Sequence, residues 1–418
     1  MNMKIRVKNI GVLQDAEVEI NGITVVAGKN NTGKSTFGKA LFAVYGALVD
    51  FENRVLLAKK RILLDYVEKY FTSIRFEDFE VVSSISKFIR DEPLNEDSIR
   101  NIVKKVPESS SSEEKVFFEK ASKLLTMDDS QLRNNVITAF LKSEFGGQLQ
   151  NKYKPDQKSE IDLLIGDRNV FISICDEKVE LVKNARNMNT FPVYLDEFPL
   201  LQWLDRKSSL GYLARNVPRH TVEMIKLIRR KVFEESDNDL IDTTIKGILQ
   251  KEYLKEVWGR LEEICHGDLV EKNYNVLFVD KKEKGVEYPV QNLSAGLRCL
   301  IQLQELILNG VLSENGIVIM DEPEIHLHPE WQVVFAEMIV LLQKSMNLRI
   351  LLTSHSPYFI SALDAFAKKY NVIDNSRYYF AIRNQDNRVE VQNVTGSVHV
   401  IYDSLAKPYQ TIADVFME

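Results

Sequence analysis

Residues 28–35 read Gly28-Lys29-Asn30-Asn31-Thr32-Gly33-Lys34-Ser35, two glycines separated by four residues and followed by a lysine and a hydroxyl residue. That spacing is the pattern of a loop folded around phosphate. The glycines let successive backbone N–H groups turn toward one centre. Lys34 sets a positive charge near the β- and γ-phosphates, and Ser35 offers a hydroxyl to Mg²⁺. The flanks agree with the loop. Ile23-Thr24-Val25-Val26-Ala27 reads as a buried strand, and Thr36–Leu48 carries apolar residues at helical spacing. The free N–H groups that open such a helix add to the attraction for an anion. Gly28 to Thr36 are therefore expected to bind ATP, with Ser35 on the metal. A Gly/Asn turn that only resembled the motif would lack this strand–loop–helix order.

Three further segments carry chemistry. Gly316-Ile317-Val318-Ile319-Met320-Asp321-Glu322 is an apolar strand ending in two carboxylates. Beside a phosphate loop, Asp321 is expected in the Mg²⁺ shell and Glu322 against the attacking water. Thr353-Ser354-His355 follows the apolar stretch Arg349–Leu352, and a histidine there is within reach of a γ-phosphate. Ser294-Ala295-Gly296 opens the apolar-periodic helix Leu297–Leu308. Its free N–H groups make a second anion site, and since the phosphate loop already fills that role, the economical reading is a half-site for another subunit's ATP.

The ordered set Gly28–Ser35, Leu293-Ser294-Ala295-Gly296, Ile317–Glu322 and Thr353-Ser354-His355 resembles the ABC-type ATPase superfamily. Within it, Asp321-Glu322-Pro323-Glu324-Ile325-His326-Leu327-His328-Pro329-Glu330-Trp331 resembles the branch of SMC-like repair ATPases and OLD-like ATPases of bacterial anti-phage defence, including the PARIS and Septu types and toxin–antitoxin-like systems. The resemblance covers about residues 1–45 and 285–365. It implies an α/β head, a phosphate-loop sheet plus an antiparallel β lobe, that pairs head to tail with a second copy around two ATP molecules. Each site would use the phosphate loop, Asp321, Glu322 and His355 of one subunit with Ser294–Gly296 of the other. Departures exist. The signature reads Leu-Ser-Ala-Gly-Leu, His328 stands where transporters have an aspartate, and the family's Q-loop glutamine has no plain counterpart among Asp196, Glu197 and Gln202.

The remaining features bound these expectations. Apolar residues make up 44% and charged residues 27% of the 418, with a net charge of −6, an ordinary globular balance that does not favour a broad nucleic-acid-binding surface. The basic run Arg219, Lys226, Arg229, Arg230 and Lys231 backs onto Val222, Ile225, Leu227 and Ile228, which leaves nucleic acid open as a partner. Cys175, Cys265 and Cys299 are scattered and odd in number, so neither disulfides nor a zinc cage follow. Glu324, His326 and His328 would share one face of a strand and suggest a small metal site, but a turn is expected there. No apolar run approaches the roughly 20 residues that span a bilayer, and a cytoplasmic, membrane-free protein is expected.

Organisation follows from periodicity. Residues 1–49 and 269–418 are read as the two parts of the head, with helical insertions at 50–155 and 207–268 and a β segment at 156–206 returning to the antiparallel lobe. Ser111 and Glu114 have capping-box spacing. The 63 residues after His355 hold no Asp-x-Asp pair of a Toprim nuclease, so the resemblance is to the ATPase half of OLD-family nucleases. The expected function is an ATP-hydrolysing dimeric switch of a defence system acting on a separate effector. A DNA-repair ATPase would need long heptad arms, and a transporter's nucleotide-binding subunit a different continuation after Glu322.

Overall fold

The computed structural model describes residues 3–71, 79–106, 109–151, 157–185, 187–196, 217–233, 254–272, 275–283, 285–384 and 389–407, with single positions Leu201, Ile248, Glu252 and Val415. Glu197 and Gln202 lie outside the described residues. Three strands open the chain: β1 (Met3–Ile10), β2 (Leu13–Glu19) and β3 (Ile23–Gly28). β1 alternates between buried and partly exposed positions, whereas every residue of β3 is buried. A strand apolar on both faces belongs inside a helix-covered parallel sheet. β3 accordingly lies between β12 (Arg349–Ser354) and β13 (Ser376–Arg383), parallel to both. β11 (Ile317–Asp321) follows on the far side of β12, and the short β7 (Val193–Leu195) closes that edge, again parallel.

On the other side, β13 pairs antiparallel with β14 (Val389–Asn393), and β1 lies antiparallel between β2 and β4 (Ser159–Ile165). β5 (Arg168–Cys175) and β6 (Lys178–Lys183) extend this lobe to the edge. One eleven-stranded sheet results, ordered β6-β5-β4-β1-β2-β14-β13-β3-β12-β11-β7. The chain is thus α/β, a phosphate-loop sheet continued by an antiparallel lobe. The segment expected to return wholly to that lobe splits: β4 to β6 join it, while β7 goes to the opposite, parallel edge.

The chain divides into two compact units, residues 1–47, 134–186 and 190–418 in one and 48–133 with 187–189 in the other. The second unit is built from α2 (Phe51–Tyr70), α3 (Phe79–Asp91), α4 (Glu96–Lys105) and α5 (Ser111–Leu125). Leu63, Val67, Phe71, Ile99, Ile102 and Phe117 form its own core. The cap of α5 falls one residue before the expected pair. Ser110 accepts from the Glu113 N–H and Glu113 accepts from that of Ser110, while Ser109 donates to Glu114. Two overlapping Ser-x-x-Glu pairs compete here, and the helix starts at Ser111.

The first unit is larger than the expected head. Residues 134–151, read as insertion, belong to it, because Ile137, Phe140 and Leu141 of α6 (Asp129–Glu144) are buried and Phe140 stacks 6.4 Å from Phe42 of α1 (Lys34–Leu48). The described part of 207–268 is not separate either. α7 (Arg219–Phe233) and α8 (Lys255–Ile264) give Val222, Ile225, Ile228, Val257 and Leu261 to the main core. In the basic run, Arg219 and Lys226 both pair with Glu223, and the side chains of Arg229, Arg230 and Lys231 are outside the described set. A separate antiparallel sheet, β8 (Gly267–Lys272), β9 (Asn275–Asp280) and β10 (Val286–Pro289), precedes α9 (Ala295–Leu308). The helices α10 (Pro329–Met346), α11 (Pro357–Lys369) and α12 (His399–Leu405) complete the unit. Among the described residues no helix is long and apolar enough to cross a membrane.

Candidate functional site

Parallel strands all end on the same side of a sheet, so residues that follow them in sequence become neighbours in space. Here the ends of β3, β12, β11 and β7 deliver, respectively, the loop at 28–33, Thr353 to His355, Asp321 with Glu322, and Asp196. A cavity of about 850 Å³ opens there, lined by Asn30 to Thr36, Asp196, His220, Asp321, Glu322 and Arg383 among others.

The loop is held by its own atoms. The Thr32 hydroxyl and the Lys34 ammonium both donate to the Lys29 carbonyl, at 2.8 and 3.0 Å, and Arg383 donates to the Asn31 carbonyl at 2.5 Å. Gly33 has φ +78°, and a Cβ there would lie 2.9 Å from Val12 Cγ2. A non-glycine residue would meet both a left-handed backbone and a clash. Gly33→Ala is therefore expected to displace the loop and weaken binding of a fluorescent ATP analogue about 10-fold or more, since such strain costs about 1–3 kcal/mol. Binding as tight as the parent's would show that this loop does not cradle the nucleotide.

Behind the loop, Asp321 Oδ1 accepts from Ser35 Oγ at 2.8 Å and from Thr353 Oγ1 at 2.5 Å. Hydroxyl and carboxylate oxygens are the hard donors that suit Mg²⁺, so Ser35 and Asp321 fit the metal expected of them. Glu322 has φ +50°, a rare backbone for a side-chain-bearing residue. Its N–H donates to both the carbonyl and the hydroxyl of Thr353, which holds the strained turn. The Glu322 carboxylate then sits between Lys34 Nζ at 3.0 Å and His355 Nδ1 at 3.1 Å. The His355 contact, working against burial and reinforced by Lys34, brings Glu322 down to about 2. The same contact raises His355.

Glu324 is 1% exposed and accepts from the Ser354 hydroxyl at 2.6 Å and the His355 N–H at 3.3 Å. Burial is the main cause that raises its carboxyl. The stretch after Glu322 is a turn rather than a strand, so Glu324 points inward while His328 caps α10. Among the described residues no three His, Cys, Asp or Glu side chains are grouped to hold a metal, so the Glu324–His326–His328 grouping does not form.

Ser294 caps α9, accepting from the Leu297 N–H, and is exposed. Ser294, Ala295 and Gly296 do not line the phosphate-loop cavity; Ala295 lines another, of about 260 Å³, with Asp196, Glu322 and His326. A Cβ on Gly296 would come 3.1 Å from the His326 carbonyl, so the start of α9 packs closely on the turn after Glu322.

Asp196, one of three Q-loop candidates, is joined to a histidine that no motif points to. His220 bonds Asp196 through Nε2 at 2.9 Å and Glu144 through Nδ1 at 2.6 Å. Burial opposes charge on this ring, but hydrogen bonds and charges from Asp196 and Glu144 prevail and push it up to about 9. Tyr194, Thr353 and Arg383 were also passed over as site residues. Only their places within or at the end of apolar strands point to them.

A family model described as AAA ATPase domain matches residues 1–360. The Septu protein PtuA of Bacillus thuringiensis is 26% identical over 155 residues, covering 32% of this chain and 35% of that protein. The endonuclease GajA of Bacillus cereus (strain HuB5-5) is 20% identical over 390 residues, 84% of this chain and 54% of that protein. The chain spans between 21% and 54% of the length of the curated relatives it matches. Among solved structures, the SMC head domain from Thermotoga maritima aligns over 94% of this chain and 99% of that chain, with a TM-score of 0.40 and 10% identity.

Proposed function

The chain belongs to the AAA ATPase domain family, and on that premise we propose that it hydrolyses ATP as a dimeric switch controlling a separate effector of a bacterial defence system. One observation carries the ATPase part. Lys34, Ser35, Asp321, Glu322 and His355, from three sequence segments, meet through contacts of 2.8 to 3.1 Å at one end of a parallel sheet. In this reading the loop's N–H groups and Lys34 bind the phosphates, and Ser35 and Asp321 hold Mg²⁺. The ion would neutralise charge on the transferred phosphoryl group. Glu322 takes the proton of the attacking water, and His355 orients Glu322. Lys34 Nζ already contacts the Lys29 carbonyl and Glu322, so phosphate arriving at this ammonium would compete with Glu322 and loosen its hold.

The defence setting rests on the Asp321–Trp331 block and on the relation to a Septu protein. The dimer rests on the signature turn, where Ser294 is exposed and which lies outside the phosphate-loop cavity. Nucleic acid as a partner has less support, since Glu223 already pairs Arg219 and Lys226.

Lys34→Ala tests the core of the reading. A charged hydrogen bond contributes about 1.5–3 kcal/mol, or roughly 10- to 100-fold in affinity. The loss should reach the upper end, because Glu322 then faces the phosphates with only His355 to offset its charge. Titration with a fluorescent ATP analogue measures it, and parental affinity in the variant would remove ATP from this loop.

A further inference from the structure

Asp321 receives a contact that no motif supplies. Its Oδ2 accepts from the hydroxyl of Tyr194 at 3.3 Å. Tyr194 is 1% exposed, and its phenol hydroxyl is a donor at neutral pH. Room for it is made on α1. A Cβ at Gly38 would lie 3.3 Å from the Tyr194 hydroxyl and 2.8 Å from Ile319 Cγ2. Glycine inside a helix costs about 1 kcal/mol relative to alanine, so its presence here fits this close approach.

The tyrosine ring is fixed from the other side. It lies flat on the imidazole of His220, with centroids 4.1 Å apart and planes at 19°. His220 is 1% exposed and has a carboxylate on each ring nitrogen, and Glu144 also accepts its backbone N–H at 2.9 Å. Both nitrogens then donate, which gives a cation stacked on a phenol face. Buried ionic groups of this kind are weak contributors to stability, since well-packed apolar side chains do as well or better. Their use lies in fixing one geometry. Here they fix the tyrosine ring, whose hydroxyl donates to Asp321.

Building on the ATPase reading above, we propose that Tyr194, braced by the buried His220 and its two carboxylate partners Glu144 and Asp196, is a positioning residue for the magnesium-binding carboxylate of Asp321. Tyr194→Phe keeps the ring and the stack and removes only the hydroxyl. The full chain is titrated with a fluorescent ATP analogue in EDTA and across Mg²⁺ concentrations. Tyr194→Phe is expected to bind as the parent does in EDTA, yet to need about 10-fold more Mg²⁺ for half-maximal enhancement of binding, as when a metal ligand loses its supporting hydrogen bond. His220→Gln should shift Mg²⁺ demand in the same direction, and the double variant should be no worse than the more affected single one. An unchanged Mg²⁺ requirement in Tyr194→Phe overturns the proposal. So does an equal loss of affinity with and without Mg²⁺, the mark of a general structural role. Should His220→Gln fail to fold, Tyr194→Phe alone decides. Lys34→Ala separates the two readings: if it binds like the parent, the ATPase reading falls and takes this proposal with it. Lys34-dependent binding with parental Mg²⁺ demand in Tyr194→Phe overturns the positioning role alone.

Discussion

Glu322→Gln is expected to lower ATP turnover by about 10²- to 10⁴-fold, the range associated with a positioned general base, while nucleotide binding survives. The amide preserves the size of the side chain and can still contact His355, but it cannot accept a proton from water. Ser35 and Asp321, which would hold the metal, are untouched by the change. Affinity should rise slightly rather than fall, because Lys34 loses its carboxylate partner at 3.0 Å and is freer to meet phosphate. The charged state of Glu322 is strongly favoured by His355 and Lys34 together, at about 2. A base that weak would accept a proton poorly. Removing Lys34 to the phosphates raises its basicity when it is needed. Phosphate release at saturating ATP, with binding titrated in parallel, measures both quantities. Turnover equal to the parent's would exclude Glu322 as the base.

The parts of this site that were legible in the sequence are those whose geometry is local. Gly28 to Ser35 folds as strand, loop and helix within one short segment, and Asp321-Glu322 closes a strand that reads as buried whatever its partners are. Their meeting follows from the parallel order of β3, β12 and β11, which the motif set implied. Tyr194, His220 and Glu144 were not legible for the opposite reason. They come from β7, α7 and α6, and only tertiary packing makes a lone tyrosine, histidine and glutamate into one assembly. The same logic explains the boundary at Arg133. Helical periodicity runs unbroken through α6, so nothing in the pattern reveals that residues from Asn134 onward join the core beneath Phe42. At α5, two Ser-x-x-Glu pairs one residue apart are equivalent by spacing, and only the backbone's turn at Ser110 distinguishes them.

Ser294→Arg is expected to abolish turnover while leaving ATP binding by each chain intact, and mixing it with Lys34→Ala should restore activity. Ser294 is at the surface, and neither it nor Ala295 nor Gly296 lines the phosphate-loop cavity, so an arginine there need not touch the chain's own nucleotide. Loss of the Ser294 cap costs about 0.5–2 kcal/mol of helix stability, which a thermal melt would register separately. In a head-to-tail pair, an arginine at this turn would meet the other subunit's ATP and hold the heads apart. Every site in a Ser294→Arg homodimer then has a bad signature, and every site in a Lys34→Ala homodimer has a bad phosphate loop. A mixed dimer has one site damaged in both respects and one with neither fault. With random pairing and independent sites, an equal mixture should show about a quarter of parental turnover, half the dimers being mixed and half their sites intact. Complementation of this kind cannot arise if one chain supplies a whole site. A mixture no more active than its components, with mixed dimers verified by differential tagging, would mean that Ser294–Gly296 serves its own chain, and the close packing of Gly296 against His326 would then be the route by which it acts on Glu322.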